Sequence, residues 1–278
     1  MTAFHIKYFR ASLLALALFA APLPAATVDG IPLHYTVTGK GPATVIFVHG
    51  WTCDESSWSE QVPAVAVRYR VVTVDLPGHG RSGSPRDGKF SMDLFARAVE
   101  AVRAEVAAER VVLVGHSMGT PVIVQYTRLY PQHTAALVFA EGVVTLGANL
   151  GHKPNTDRMK GPEGLKNREA NTRGMFSAAT TPELQSKILK MMLGAPDVTA
   201  AGAMEAMFDP GIWKNDTIAL PILALYADKS GLASRAFMKE HYPNLEYTEI
   251  PGTGHFLMLE KPAEFNRLLL AFLDKRNF

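Results

Sequence analysis

The pattern of the chain predicts an α/β fold: a mostly parallel, doubly wound sheet with helices on both faces and an inserted helical cap. Three observations carry that expectation. Short Val, Ile and Leu runs alternate with helical patterns along most of the chain, as strands covered on both faces require. The alternation stops between Glu141 and Asp216. A run of Val and Leu also leads into Gly-His-Ser-Met-Gly and then a helical pattern, a strand-turn-helix that exposes the serine hydroxyl.

In chain order, the first segment stands apart from the globule. Lys7 and Arg10 precede an apolar run over 11–21 and the small-residue stretch PLPAA, the pattern of a secretory signal peptide. The run is too short to cross a bilayer core of ~30 Å as a helix, so no stable membrane anchor is expected. Residues 1–26 read as the leader, with cleavage near Ala25 or Ala26 and a periplasmic or extracellular destination. Cleavage removes two basic residues from a chain of formal charge +2, leaving a nearly neutral domain with no footprint for nucleic acid. The single Cys53 has no internal partner, so the core alone must hold the exported domain.

Strands are expected at 33–38, 44–48, 71–74, 111–114, 137–140, 222–225 and 245–250, with helices at 92–108, 121–130 and 262–273. The division is a leader at 1–26, a sheet core at 27–141 and 217–278, and a cap at 142–216. Within the cap, helices are expected at 164–173, 182–193 and 199–208. Six of the eleven Met residues fall there. Thioethers adapt to apolar ligands, but ordinary packing of the cap accounts for most of them.

The chemistry concentrates in four stretches. VVLVGHSMGT, 111–120, places Ser117 between Gly115 and Gly119. Side chains at those two positions would collide in the sharp turn, whose strained backbone exposes the serine. The helix N-terminus and the Met118 N–H then face the place where an oxyanion forms. IFVHGW, 46–51, is a strand ending in His-Gly. The Trp51 N–H is placed as a second donor, and His49 is read as structural. VDLPGHGRS, 74–82, is a Pro/Gly turn whose Asp75 and His79 organise a loop. PGTGHFLMLEKP, 251–262, carries His255 in a Gly-rich loop after the last strand, where a base can reach the serine.

In this order, HGW, DLPGHGRS, GHSMG and GTGH resemble the α/β-hydrolase family, and the resemblance covers residues 31–278. It implies Ser117 as nucleophile, His255 as base, and an oxyanion hole from Trp51 and Met118. A serine at the elbow sets the chain apart from the dehalogenase and epoxide hydrolase branches, which use Asp there.

Two carboxylates compete for the acid that must hold the base's far nitrogen. The commoner family arrangement, Gly-x-x-Asp after the penultimate strand, aligns Ala227 with the glycine and Ser230 with the Asp. Asp228 then stands two positions early, ~7 Å along an extended chain. Glu141 ends the strand after the nucleophile helix, 24 residues beyond Ser117, where some lactone hydrolases of the family carry a Glu. Glu141 is the leading acid and Asp228 the alternative.

The expected activity is hydrolysis of a small apolar ester or lactone through an acyl-enzyme. Other chemistry on the same elbow (amide or carbon–carbon hydrolysis, cofactor-free perhydrolysis) is the alternative, as is a ligand-binding protein without turnover. No metal or organic cofactor is implied, because no His/Cys/Asp cluster has ligand spacing. The sequence leaves the oligomeric state open. Candidate pocket walls are Trp51, Trp58, Phe139, Met159 and Trp213, with Cys53 near the oxyanion loop as a buried, inert thiol. Residues 152–173 hold six Lys/Arg against three Asp/Glu and read as a solvated surface.

Overall fold

The computed structural model describes residues 1, 26–276 and 278. The leader expected at 1–26 therefore lies almost wholly outside the described residues.

The chain begins with a small hairpin, β1 (Thr27–Val28) and β2 (Ile31–Pro32). Asp29 and Gly30 turn it with φ of 50° and 75°, the two left-handed residues of a type I′ turn. The hairpin corrects the expected strand at 33–38. Ile31 and Pro32 pair back on β1, and the next strand, β3 (Tyr35–Thr38), starts later. The Asp-Gly pair was the available signal.

The remaining strands are β4 (Thr44–Val48), β5 (Arg70–Val74), β6 (Val111–His116), β7 (Thr134–Ala140), β8 (Ile222–Ala227) and β9 (Leu245–Ile250). With β3 they form one sheet in the order β3-β5-β4-β6-β7-β8-β9. Only β3 runs antiparallel to its neighbour. All five residues of β4 and all six of β6 and β8 are buried, so the continuous apolar runs do mark strands covered on both faces. The expected core strands are present, most of them longer by one to three residues than the apolar run alone.

Helices on the sheet begin with α1 (Val62–Val65), α2 (Met92–Glu105) and α3 (Gly119–Leu129). Ser91 caps α2 by accepting the Leu94 N–H at 3.0 Å. Met92, Phe95, Ala96, Val99 and Val102 form its buried stripe at helical spacing. The helix stops at Glu105 rather than 108, because Ala107 turns into the left-handed region at φ 51°.

Between β7 and β8 lie α4 (Gly161–Arg173), α5 (Pro182–Gly194) and α6 (Asp197–Met207), with no strand between them. Thr181 caps α5 at 3.3 Å, and Pro182 sits at its first turn, where a missing N–H costs nothing. The basic stretch 152–173 is largely paired: Lys160 with Asp157, Lys166 with Glu163, Arg168 with Asp197 and Arg173 with Glu169.

The chain closes with α7 (Arg235–His241), α8 (Leu257–Glu260) and α9 (Pro262–Asp274). The one-turn helices α1 and α8 were missed, being too short to show a period. No helix among the described residues is long and apolar enough to cross a membrane.

Candidate active site

Ser117 follows the last residue of β6 and precedes the first turn of α3. Its φ is 52°, the left-handed region that an L-residue adopts only under constraint. The constraint is visible in the packing. A Cβ on Gly119 would lie 2.4 Å from the Val48 carbonyl oxygen, and one on Gly115 would lie 2.6 Å from the Gly119 carbonyl oxygen. Neither backbone oxygen can yield. The turn is tied down by Ser117 N–H donating to Ala140 at 3.0 Å and Thr120 N–H donating to Ser117 at 3.0 Å.

The His-Gly turn after β4 lies directly against this elbow. A Cβ on Gly50 would meet both Ser117 Cβ and His116 Nδ1 at 3.0 Å. Trp51 and Met118 are buried. Among the described residues neither donates its backbone N–H to another group. Buried N–H groups are nearly always paired, so these two are candidate donors to an oxyanion beside the strained serine. The Trp51 indole Nε1 donates to the Ala200 carbonyl at 2.8 Å, fastening this loop to α6.

His255 sits in the loop between β9 and α8. Three contacts hold its backbone and ring. Its N–H donates to the Met175 carbonyl at 3.3 Å, and its carbonyl accepts from His116 Nε2 at 2.8 Å. Its Nδ1 faces Glu141 Oε2 at 3.4 Å, at the long end for a hydrogen bond.

Glu141 is 3 % exposed and, like Ser117, left-handed, with φ 49°. Its Oε1 accepts the Ala227 N–H at 2.7 Å, and its Oε2 accepts the Ser230 hydroxyl at 3.0 Å. A buried carboxylate needs such donors. Burial and the neighbouring Glu141 charge push the Tyr226 phenol well above its ordinary pKa, while its hydroxyl donates to the Gly142 carbonyl at 2.8 Å. Asp228 behaves differently. It is exposed and accepts the Gly252 N–H at 3.0 Å, bracing the loop that leads to His255. Of the two carboxylates weighed from the sequence, the structure puts Glu141 against the histidine. Ser230, where the commoner pattern has its Asp, donates to that glutamate.

Ser117, Glu141 and His255 line one cleft of about 540 Å³ with Met175, Phe176 and Leu232. On its inner side Ser117 and His255 also meet a small void walled by Trp51, Cys53 and Met192. Burial pushes the Cys53 thiol up, which keeps it protonated and unreactive. Of the candidate pocket walls, Trp51 lines this void. Trp58 and Phe139 are fully buried core residues instead; Trp58 packs 4.9 Å from Phe47. Met159 and Trp213 pack against the core and do not line the cleft. His116 was missed: the position before the serine carries no sequence signal of its own.

His49 accepts the Leu76 N–H at 3.0 Å and donates to the Gly50 carbonyl at 2.8 Å. It organises loops, as do Asp75, which accepts the Glu55 and Arg81 N–H groups, and His79, which donates to Pro77. Among the described residues no group of three or more His, Cys, Asp or Glu side chains could hold a metal ion.

Desolvation holds His49, His79 and His116 below the ordinary imidazole pKa, His79 down to about 3. In the unfolded chain each titrates near 6.5. Below that pH the unfolded state binds protons that the folded state refuses, so stability is full above 6.5 and is lost as pH falls toward the folded values. His79 contributes a slope of up to about 1.4 kcal/mol per pH unit, and His49 and His116 act in the same direction. Thermal melts from pH 7.5 to 4.5 will show a falling midpoint, and His79→Gln will flatten that slope. A midpoint constant between pH 7 and 5 contradicts this.

Comparison with known proteins agrees with the geometry. The profile of the alpha/beta hydrolase family matches residues 45–268. The chain is 34 % identical over 264 residues to a dihydrolipoyllysine-residue acetyltransferase component of the acetoin cleaving system from Cupriavidus necator, covering 90 % of this chain and 68 % of that one. It spans about two thirds of the length of both such components that it matches. A solved structure described as an N-acyl homoserine lactone degrading enzyme superposes with a TM-score of 0.76 at 25 % identity, over 90 % of this chain and 100 % of that one. A thermophilic esterase from Thermogutta terrifontis superposes with a TM-score of 0.81 at 23 % identity, over 90 % and 96 %, which speaks for the fold. With the family profile over most of its length, and with this sheet and this serine turn, the chain belongs to the alpha/beta hydrolase family.

Proposed function

We propose that the protein is a serine hydrolase that cleaves a carboxylic ester or lactone through an acyl-enzyme on Ser117. The observation that carries this reading is the shared cleft: a strained serine and a histidine whose Nδ1 faces a buried carboxylate. The lactone-degrading neighbour supports the substrate class. The leader-like first 26 residues point to work outside the cytoplasm.

The steps follow from the groups present. Ser117 Oγ bonds to the substrate carbonyl carbon while its proton passes to His255 Nε2. The carbonyl oxygen becomes an oxyanion facing the Trp51 and Met118 N–H groups. Glu141 fixes the Nδ1–H tautomer and stabilises the imidazolium. Collapse expels the alkoxide, which takes the proton from His255. A water then gives a proton to His255 and its oxygen attacks the acyl carbon. The second collapse releases the acid and returns the proton to Ser117.

The helical insertion acts as a cap: Met175, Phe176 and Met207 offer an apolar wall, so the acyl or alcohol part is apolar. A fluorophosphonate probe should label the protein once, at Ser117, and p-nitrophenyl esters or simple lactones should be turned over. Labelling elsewhere, or none, would sink the proposal.

A further inference from the structure

Glu260, the last residue of α8, takes no part in the steps above, and its carboxylate bonds to Gly254 and Thr180 rather than to the His255 ring. Its two carboxylate oxygens nevertheless reach two separate elements. Oε2 accepts the N–H of Gly254, the residue before His255, at 2.5 Å. Oε1 accepts the Thr180 hydroxyl at 2.5 Å. Thr180 is 3 % exposed and belongs to the strap of the helical insertion between α4 and α5. Its Oγ1 in turn accepts the Ser177 N–H at 2.8 Å.

The strap runs against the His255 loop along its length. His255 N–H donates to Met175, and a Cβ on Gly254 would meet the Met175 carbonyl oxygen and Ser177 Cβ at 3.0 Å each. Met175, Phe176 and Ser177 also form part of the cleft wall beside Ser117. A ligand in the cleft therefore presses on the strap, and the strap is bonded through one carboxylate to the backbone that carries His255.

Resting on the serine hydrolase reading above, we propose that Glu260 is a positioning residue that couples the strap to the base, so that filling the cleft sets where the His255 imidazole stands. Charge-assisted bonds of this kind are stronger than neutral ones. Both of Glu260's partners are donors, so both need an acceptor. A glutamine offers one acceptor oxygen and one donor nitrogen, so at unchanged volume it keeps only one of the two bonds as it stands, and the Thr180 hydroxyl must turn from donor to acceptor or lose this partner.

Glu260→Gln and Thr180→Val test the coupling from its two ends, with the double variant completing a cycle. In the Glu260→Gln protein kcat falls on the order of 10- to 100-fold, the cost of a small misplacement of a catalytic group, while KM stays within about threefold. Thr180→Val lowers kcat in the same direction, and the double variant is no worse than the poorer single one. Amide exchange rises together in 174–180 and 252–256 in each variant. An unchanged kcat in Glu260→Gln, fully additive losses in the cycle, or faster exchange in only one of the two segments overturns the proposal. The exchange measurement needs no substrate. If the wild-type protein fails to take the Ser117 probe, the hydrolase reading falls while exchange still decides the strap–loop link.

Discussion

Replacing Ser117 with alanine removes turnover of a p-nitrophenyl ester, a loss of about a million-fold in kcat where a nucleophile of this type is deleted, and leaves the fold unchanged. The second half of that expectation rests on the backbone. Alanine meets the same left-handed penalty at φ 52° as serine does. The bonds that shape the turn, from Ser117 N–H to Ala140 and from Thr120 N–H to Ser117, use main-chain atoms only. A circular dichroism spectrum and melting midpoint matching the wild type, with activity at background, is the expected pair of results. Retained turnover would show that the bond is broken by another group.

Glu141→Gln should cost about 10⁴-fold in kcat, because an amide facing His255 cannot fix the tautomer or stabilise the imidazolium. The substitution also presents an NH₂ to donors. Glu141 accepts from the Ala227 N–H and the Ser230 hydroxyl, and glutamine can satisfy only part of that set. A modest loss of stability, on the order of 1–3 kcal/mol, accompanies the loss of rate. Asp228→Asn is the matched control. The asparagine side-chain oxygen still accepts the Gly252 N–H, and the site is exposed, so kcat should change by less than about threefold. If the two variants exchange these outcomes, Asp228 is the acid and the loop after β8 must bend to present it.

The sheet was legible because burial on both faces leaves a plain signature, the unbroken apolar run. The short elements were not. Helices of four residues such as Val62–Val65 and Leu257–Glu260 have no room for a period, and the opening hairpin hid in a single Asp-Gly pair. At the site, Ser117 and His255 were legible because glycines surround both. The choice between Glu141 and Asp228 depended on which strand end faces the histidine, a matter of tertiary placement. The spacing put Ser230 where the commoner pattern has its Asp, and that hydroxyl donates to Glu141 in the structure. His116 and Glu260 were not legible at all. Each acts on His255 through backbone atoms, and no residue pattern records which carbonyl or N–H a side chain will meet.

The order of elements has one more consequence. Ser117 and Glu141 stand at the ends of β6 and β7, neighbouring strands joined by α3 and a short 3-10 turn at Pro131–His133. His116 and Ala140 are directly paired in the sheet. Two of the three polar groups thus belong to one unbroken β-α-β stretch of 31 residues, from Val111 to Glu141. The ribosome has made that stretch before the insertion emerges. Lengthening, shortening or exchanging the insertion acts on the approach of the histidine and on the Trp51 loop that α6 holds, not on the strand pair that carries serine and glutamate. Lineages and engineers alike can therefore rework this segment for new substrates, provided that the strap still meets the histidine loop and α6 still holds Trp51.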